Sequence, residues 1–405
     1  MEGTTATTRA FQSGLIIFTL TALIGLLNAT KLIGEMDHDT LLTHLHSGTL
    51  GWITMAVIGI AIWIFGGRGA NLPAAVLLSA LTTAAYVMAF WSGNFVLRAV
   101  FGVAELMVVV GWWLWVFANV QREGYGNLSI PKLSLALGLT TLVVGSILGV
   151  IVQILAATNN LTPENGVLVG AHASAQVGGY LVLVAAGVAE FLLDPNAGRT
   201  RAGEAQSWLL FFAGITLAVG FLANVQPFLI LSNLFQLAGI VLVVARLGRR
   251  VVSAPWTTAS GERHAAIAIP FLVLGLVLII VLVQMTIAAQ GDFSKVPPGL
   301  IIALDHSMFI GLMTNMLFGA ILVYSADRPR VWPWADHVIF AGLNVGAAGF
   351  IAVLLFVGSS AGSAAFAHPV AFTAPIMGLS VLLGIATLFM RLQGAPAGAT
   401  ATARA

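Results

Sequence analysis

The sequence predicts an all-α, polytopic membrane protein of twelve transmembrane helices, and three observations carry that prediction. First, 59% of the 405 residues are hydrophobic and only 8% charged, with a mean hydropathy of +0.99, far outside the soluble globular range. Second, apolar runs long enough to cross a bilayer, about 20 residues each, fall at 11–35, 41–66, 71–94, 96–120, 130–157, 166–192, 205–224, 226–247, 264–290, 298–325, 335–359 and 366–392. Third, with the N-terminus inside, this order puts 14 Lys and Arg on one side and only three, Lys31, Arg98 and Lys295, on the other, the asymmetry expected of cytoplasmic loops. The reading is one membrane domain, 1–405, with both termini cytoplasmic, in a cell inner membrane of prokaryotic type.

The chain has no cysteine, which removes disulfides, iron–sulfur clusters, thiolate metal ligands and covalently attached c-type haem. The first apolar run lacks a small-residue cleavage site and reads as a retained helix. A net charge of +2 without a basic cluster excludes a nucleic-acid partner and leaves the lipid bilayer as the expected surroundings. Residues 393–405, rich in Ala, Gly and Thr, read as a disordered tail.

Taken in order, span 1 leads to an outer loop with Glu35, Asp37, His38 and Asp39, read as solvated. Span 2 opens with His44-Leu45-His46-Ser47-Gly48-Thr49-Leu50-Gly51-Trp52. A neutral imidazole inside lipid must find a metal, a hydrogen bond or water, because unpaired nitrogens cost a few kcal/mol. Both histidines are therefore candidate site residues. Two positions apart means roughly 200° around a helix, so the rings face different neighbours. Gly48 and Gly51 leave room for a flat cofactor or a second backbone. Span 4 carries Arg98 at its outer end, Glu105 near the midplane and Trp112, Trp113 and Trp115 as an inner interfacial belt. Span 5 offers only Gln153. Span 6 carries His172, Gln176, Gly179 and Tyr180 and ends in Glu190. Spans 7 and 8 hold no histidine, and the arginine-rich stretch 246–263 is the one linker candidate. Span 10 contains Asp305, His306 and Gly311. His264 and His337 read as exposed at the inner surface, and His368 as a further outer-side candidate.

An internal repeat appears when spans 2, 6 and 10 are superposed. His44, Gly51 and Trp52 match His172, Gly179 and Tyr180 at a shift of 128, while His46, Ser47 and Gly51 match His306, Ser307 and Gly311 at a shift of 260. Three pseudo-repeated four-helix units follow, 11–120, 130–247 and 264–392, with their histidines at one depth. In this register His46 and His306 are equivalent. Two imidazoles from facing helices can hold one iron axially as a low-spin, bis-histidine haem b, which carries electrons and leaves no open position for a gas. Asp305 could orient the His306 ring. His44 and His172 form the other pair, open to a second haem, a single copper or zinc ion, or a hydrogen-bonded pocket without metal. Arg98 and Lys295 either meet haem propionates or snorkel to the interface.

Twelve spans with histidines entering the second, sixth and tenth from the outer side resemble the catalytic subunit of the heme-copper oxidase superfamily. The run His44 to Trp52 resembles the H-x-H-S-G-x-L-G-W run of its C-type members, where it lies on helix 10. The H-x-H followed by Gly51, with His306 and Gly311 on span 10, is also similar to the NnrS family of haem proteins linked to nitric oxide. By this resemblance His46 and His306 match the low-spin haem ligands. It departs where the oxidases need histidines for their binuclear centre: Leu304 precedes His306, span 7 has none, and Gln176 stands four residues after His172 where a tyrosine belongs. The implied function is electron transfer, or binding or processing of nitric oxide or another diatomic gas, not conventional oxygen reduction. A quinol or cytochrome would be the electron donor, and a homo-oligomer is open. Two other classes stand beside it: a transporter with a polar pocket between repeats, and an assembly or structural subunit without cofactors.

Overall fold

The computed structural model describes residues 2–69, 71–196, 198–290 and 295–395, so the expected tail lies outside them from residue 396. Among the described residues there is no strand, and twelve helices are long and apolar enough to cross a membrane: α1 Glu2–Thr30, α2 His38–Ile64, α3 Leu72–Trp91, α4 Phe95–Glu123, α5 Ile130–Ala157, α6 Gly166–Leu193, α7 Arg201–Ala223, α8 Gln226–Val252, α9 Gly261–Ala288, α10 Pro298–Tyr324, α11 Ala335–Phe356 and α12 Val370–Gln393. The chain is a multi-pass membrane protein. Only α1 departs much from the hydropathy reading. It begins before the apolar run because its first turns pack on the protein, with Gly3 against Gly67 and Thr8 bonded to the Tyr324 hydroxyl at 3.0 Å.

Burial separates three helices from the rest. In α2, α6 and α10 between 72% and 78% of the apolar window is buried, against 28–56% in the other nine. Their second halves are apolar on every side, as a helix enclosed by other helices must be, with every residue buried over Met55–Ile62, Val182–Glu190 and Asn315–Leu322. The same three helices are interrupted alike. An α segment ends at His46, Ser174 and His306, a π segment follows over Ser47–Thr54, Ala175–Leu181 and Ser307–Thr314, and α geometry then resumes. Gly166 stands 128 positions after His38, and Pro298 stands 260 after it. Such π turns are rare and concentrate at functional sites.

Glycines let the preceding helix approach each π segment. A Cβ on Gly51 would lie 2.2 Å from Ile17, one on Gly179 3.0 Å from Thr141, and one on Gly311 2.3 Å from Phe271. Gly48 likewise faces Thr21. Both glycines of the α2 motif thus make room for α1, not for a cofactor. Aromatic donors tie the central helices together: Trp52 Nε1 donates to Thr314 Oγ1 at 3.1 Å and the Tyr180 hydroxyl to Thr54 Oγ1 at 3.3 Å. The α4 tryptophans are ties of the same kind rather than a free interfacial belt, since Trp112 donates to Ser79, Trp113 to Thr140 and Trp115 to the Arg68 carbonyl. Glu190 at the far end of α6 is buried against Arg246, which also donates to Gln206.

Candidate functional site

A cavity of about 510 Å³ lies between α2 and α6, closed by α3, α4 and α5 and touched by α10. Its size is that of a pocket for a drug-sized or cofactor-sized molecule. His46 and His172 both line it, together with Tyr86, Phe90, Arg98, Glu105, Gln153, Gln176, Tyr180 and Asp305. The remaining walls are chiefly Leu, Val, Phe and Gly.

Each imidazole is fixed by its own hydrogen bond. His46 Nδ1 lies 2.8 Å from the Leu42 carbonyl, one turn back on its own helix. Its ring stacks on Phe90 at 3.8 Å and meets Tyr86 edge-on at 6.1 Å. His172 Nδ1 lies 2.7 Å from the Gly145 carbonyl on α5, and the ring rests on Gly149, where a Cβ would be 2.9 Å from Nδ1. A carbonyl can only accept, so Nδ1 carries the proton and Nε2 keeps its lone pair, the tautomer that binds metals. Among the described residues no partner occupies Nε2 of either ring.

His44 and His306 repeat this arrangement outside the cavity. His44 Nδ1 lies 2.9 Å from the Thr21 carbonyl on α1, against Gly25, and His306 Nδ1 lies 2.8 Å from Ile302 O on its own helix, beside Phe350 at 4.5 Å. The rings of His44 and His46 face different neighbours, as their spacing requires. His46 and His172 share the cavity, whereas His306, the partner expected for His46, does not line it.

The other expected residues fall as follows. Arg98 is 1% exposed, neither snorkelling nor free. It is paired with Asp39 at 2.6 Å and donates to the carbonyls of Ala89 and Phe90, while its guanidinium forms part of the cavity wall. Lys295 is exposed before α10. Asp305 lines the cavity rather than holding the His306 ring, whose Nδ1 is taken by Ile302. Glu105 accepts from Thr83 at 2.8 Å through one oxygen, and its other oxygen has no partner among the described residues. His264, expected exposed, is 1% exposed and bonded to Asn315 at 3.0 Å, because α9 begins inside the packed bundle. His337 is exposed. His368 accepts from the Val370 amide at 3.3 Å at the start of α12. The outer loop acids are engaged as well: Glu35 with Lys31 and the Gly362 amide, Asp37 as the N-cap of α2, Asp39 with Arg98.

Sequence reasoning missed Tyr86, Phe90 and the two glycine shelves. The aromatics carry no titratable signal that marks them out. The shelves lie 124 positions apart, Gly25 and Gly149, off the 128-residue shift of the histidine helices, so the repeat as aligned does not find them. Among the described residues no group of three or more His, Asp or Glu is placed to hold a metal ion, but a haem needs only axial ligands from the protein. Two half-buried imidazoles, each with Nδ1 bonded to a carbonyl, line one cavity with an arginine in its wall. Compared with known proteins, the chain matches no family model and is similar to no curated sequence.

Proposed function

We propose that this is a membrane b-type haem protein that transfers electrons, in which His46 and His172 would hold a haem in the α2/α6 cavity. The observation that carries it is the matched state of the two rings: each Nδ1 is spent on a backbone carbonyl, and each Nε2 is unpartnered beside one cavity. An imidazole nitrogen with a free lone pair beside a cavity is a ready metal ligand. His44 and His306, held the same way, are the candidates for a second haem on the opposite face of α2. When bound, haem supplies a one-electron iron couple.

The chain's own residues do the rest. The carbonyl bonds hold both rings in one tautomer and orientation, and Phe90 backs the His46 ring. Arg98 offers positive charge in the wall for an acidic substituent. Apolar walls keep water from the site, which favours outer-sphere electron transfer over ligand exchange. Binding of nitric oxide or another diatomic gas needs an open iron position, which a bis-histidine site does not have. The common α–π–α pattern and the 128 and 260 spacings support three related four-helix units, and the arginine-rich face supports cytoplasmic termini.

The test is haem content and reduced-minus-oxidised absorbance of the purified protein. A b-type α band is expected, and His46→Ala and His172→Ala should each remove the same low-spin component while His306→Ala spares it. A folded protein with a featureless spectrum would overturn the haem reading and favour a polar pocket of transport type. Loss of one component on substituting either His46 or His306, with His172→Ala silent, would overturn the pairing.

A further inference from the structure

At the end of the bundle where α9 and α11 begin and α10 and α12 finish, four arginines converge: Arg263, Arg328, Arg330 and Arg391. They sense one another's charge, Arg391 that of Arg328, Arg330, Asp327 and Asp336, and Arg263 that of Arg330 and Asp336. Their hydrogen bonds go largely to neutral oxygens. Arg391 donates twice to Ser325 O at 2.8 and 3.0 Å, Arg328 to Leu392 O and Thr8, Arg330 to Ala259 O at 3.0 Å, and Arg263 to Asp336 O. Among the described residues their one ion pair is Arg330 with Asp336 at 3.7 Å.

Two features point to a missing anion. Four guanidinium groups are set against two carboxylates, and Nε of Arg263, a side chain 1% exposed, and Nε of Arg328 are buried without an acceptor among the described residues. A surplus of desolvated positive charge is costly unless an anion meets it. Around the cluster the loop from α10 to α11 exposes Trp332 at 37% and Trp334 at 59%, the interfacial aromatics that sit at headgroup level. We propose that this cluster binds the phosphate of an anionic phospholipid headgroup, with Arg328 and Arg330 as the contacting forks and Trp332 and Trp334 beside the glycerol region. Guanidinium suits this role because its planar fork matches two phosphate oxygens. Free inorganic phosphate shares that chemistry, and the exposed tryptophans favour the lipid.

The test uses the full-length protein, delipidated and placed in nanodiscs of phosphatidylcholine with or without phosphatidylglycerol, read by native mass spectrometry and thermal unfolding. Phosphatidylglycerol should be retained and should raise the unfolding midpoint. R328Q with R330Q should weaken retention about thirtyfold, roughly fivefold per arginine. R249Q with R250Q, the same charge lost at the end of α8, should change it by less than about twofold. If the first pair unfolds the protein, R330Q alone, whose side chain is 44% exposed, carries the fivefold test. Equal losses in both double variants, undiminished retention in R328Q with R330Q, or a matching midpoint shift from inorganic phosphate alone would each overturn the proposal.

Discussion

His44 and His172 are held differently from His46 and His306, and the difference shows how one helix can serve two sites. The first two donate across a helix boundary, to Thr21 and Gly145, and lie against Gly25 and Gly149 of the neighbouring helix. The second two donate one turn back along their own helix, to Leu42 and Ile302, and are backed by aromatic rings. The geometry of one class depends on how closely two helices pack. That of the other is local and survives small movements of the neighbours. Each candidate site combines one histidine of each class.

That contrast can be broken most strongly at the glycine shelves. Gly149→Val should displace the His172 ring, because even a Cβ there would lie 2.9 Å from it, and overpacking should cost about 1–3 kcal/mol. The spectral component of the cavity pair should vanish while that of His44 and His306 persists, and Gly25→Val should do the reverse. Equal damage to both components in either variant would refute two independent sites.

A smaller effect sharpens the comparison between the helices that carry the two classes. Thr314→Val leaves the buried Trp52 indole without its acceptor, for a loss of about 1–3 kcal/mol in unfolding free energy. Thr54→Val should cost less, since the Tyr180 hydroxyl bond is longer at 3.3 Å. Smaller again, Phe90→Leu removes the stacked ring from the local class and should lower stability by about 0.5–1.5 kcal/mol. If the proposed haem occupies the cavity, the same substitution should broaden its electron paramagnetic resonance signal.

The smallest effect is one of pH at the start of α2, where the two classes should respond together. Hydrogen bonds from the Thr40 amide and hydroxyl hold the Asp37 carboxyl below its ordinary range. A lowered carboxyl contributes stability that is complete above the ordinary value, about pH 4, and disappears as pH falls through the lowered one. Amide exchange at Thr40 should therefore accelerate on acidification, and Asp37→Asn should abolish that dependence. Glu35 is lowered in the same sense by Lys31 and the Gly362 amide, so the whole outer loop should loosen together. Faster exchange at rising pH beyond the intrinsic rate would contradict the assignment.

Several features were legible before any coordinates. Hydropathy alone located all twelve helices, because a span must satisfy its backbone internally and bury about 20 apolar residues. The two-residue spacing sends His44 and His46 to different neighbours. Other features were not legible. Arg98 finds Asp39 across 59 positions, and no local pattern reports that distance.

The amino-acid order by itself determined which twelve segments are long and apolar enough to cross a bilayer, since hydropathy is a property of one helix at a time. Only the tertiary structure decided that His46 and His172 line one cavity and that His306 does not. Partnership depends on the rotation relating neighbouring helices and on how near their glycines let them come, and neither quantity is written in the period of a single span.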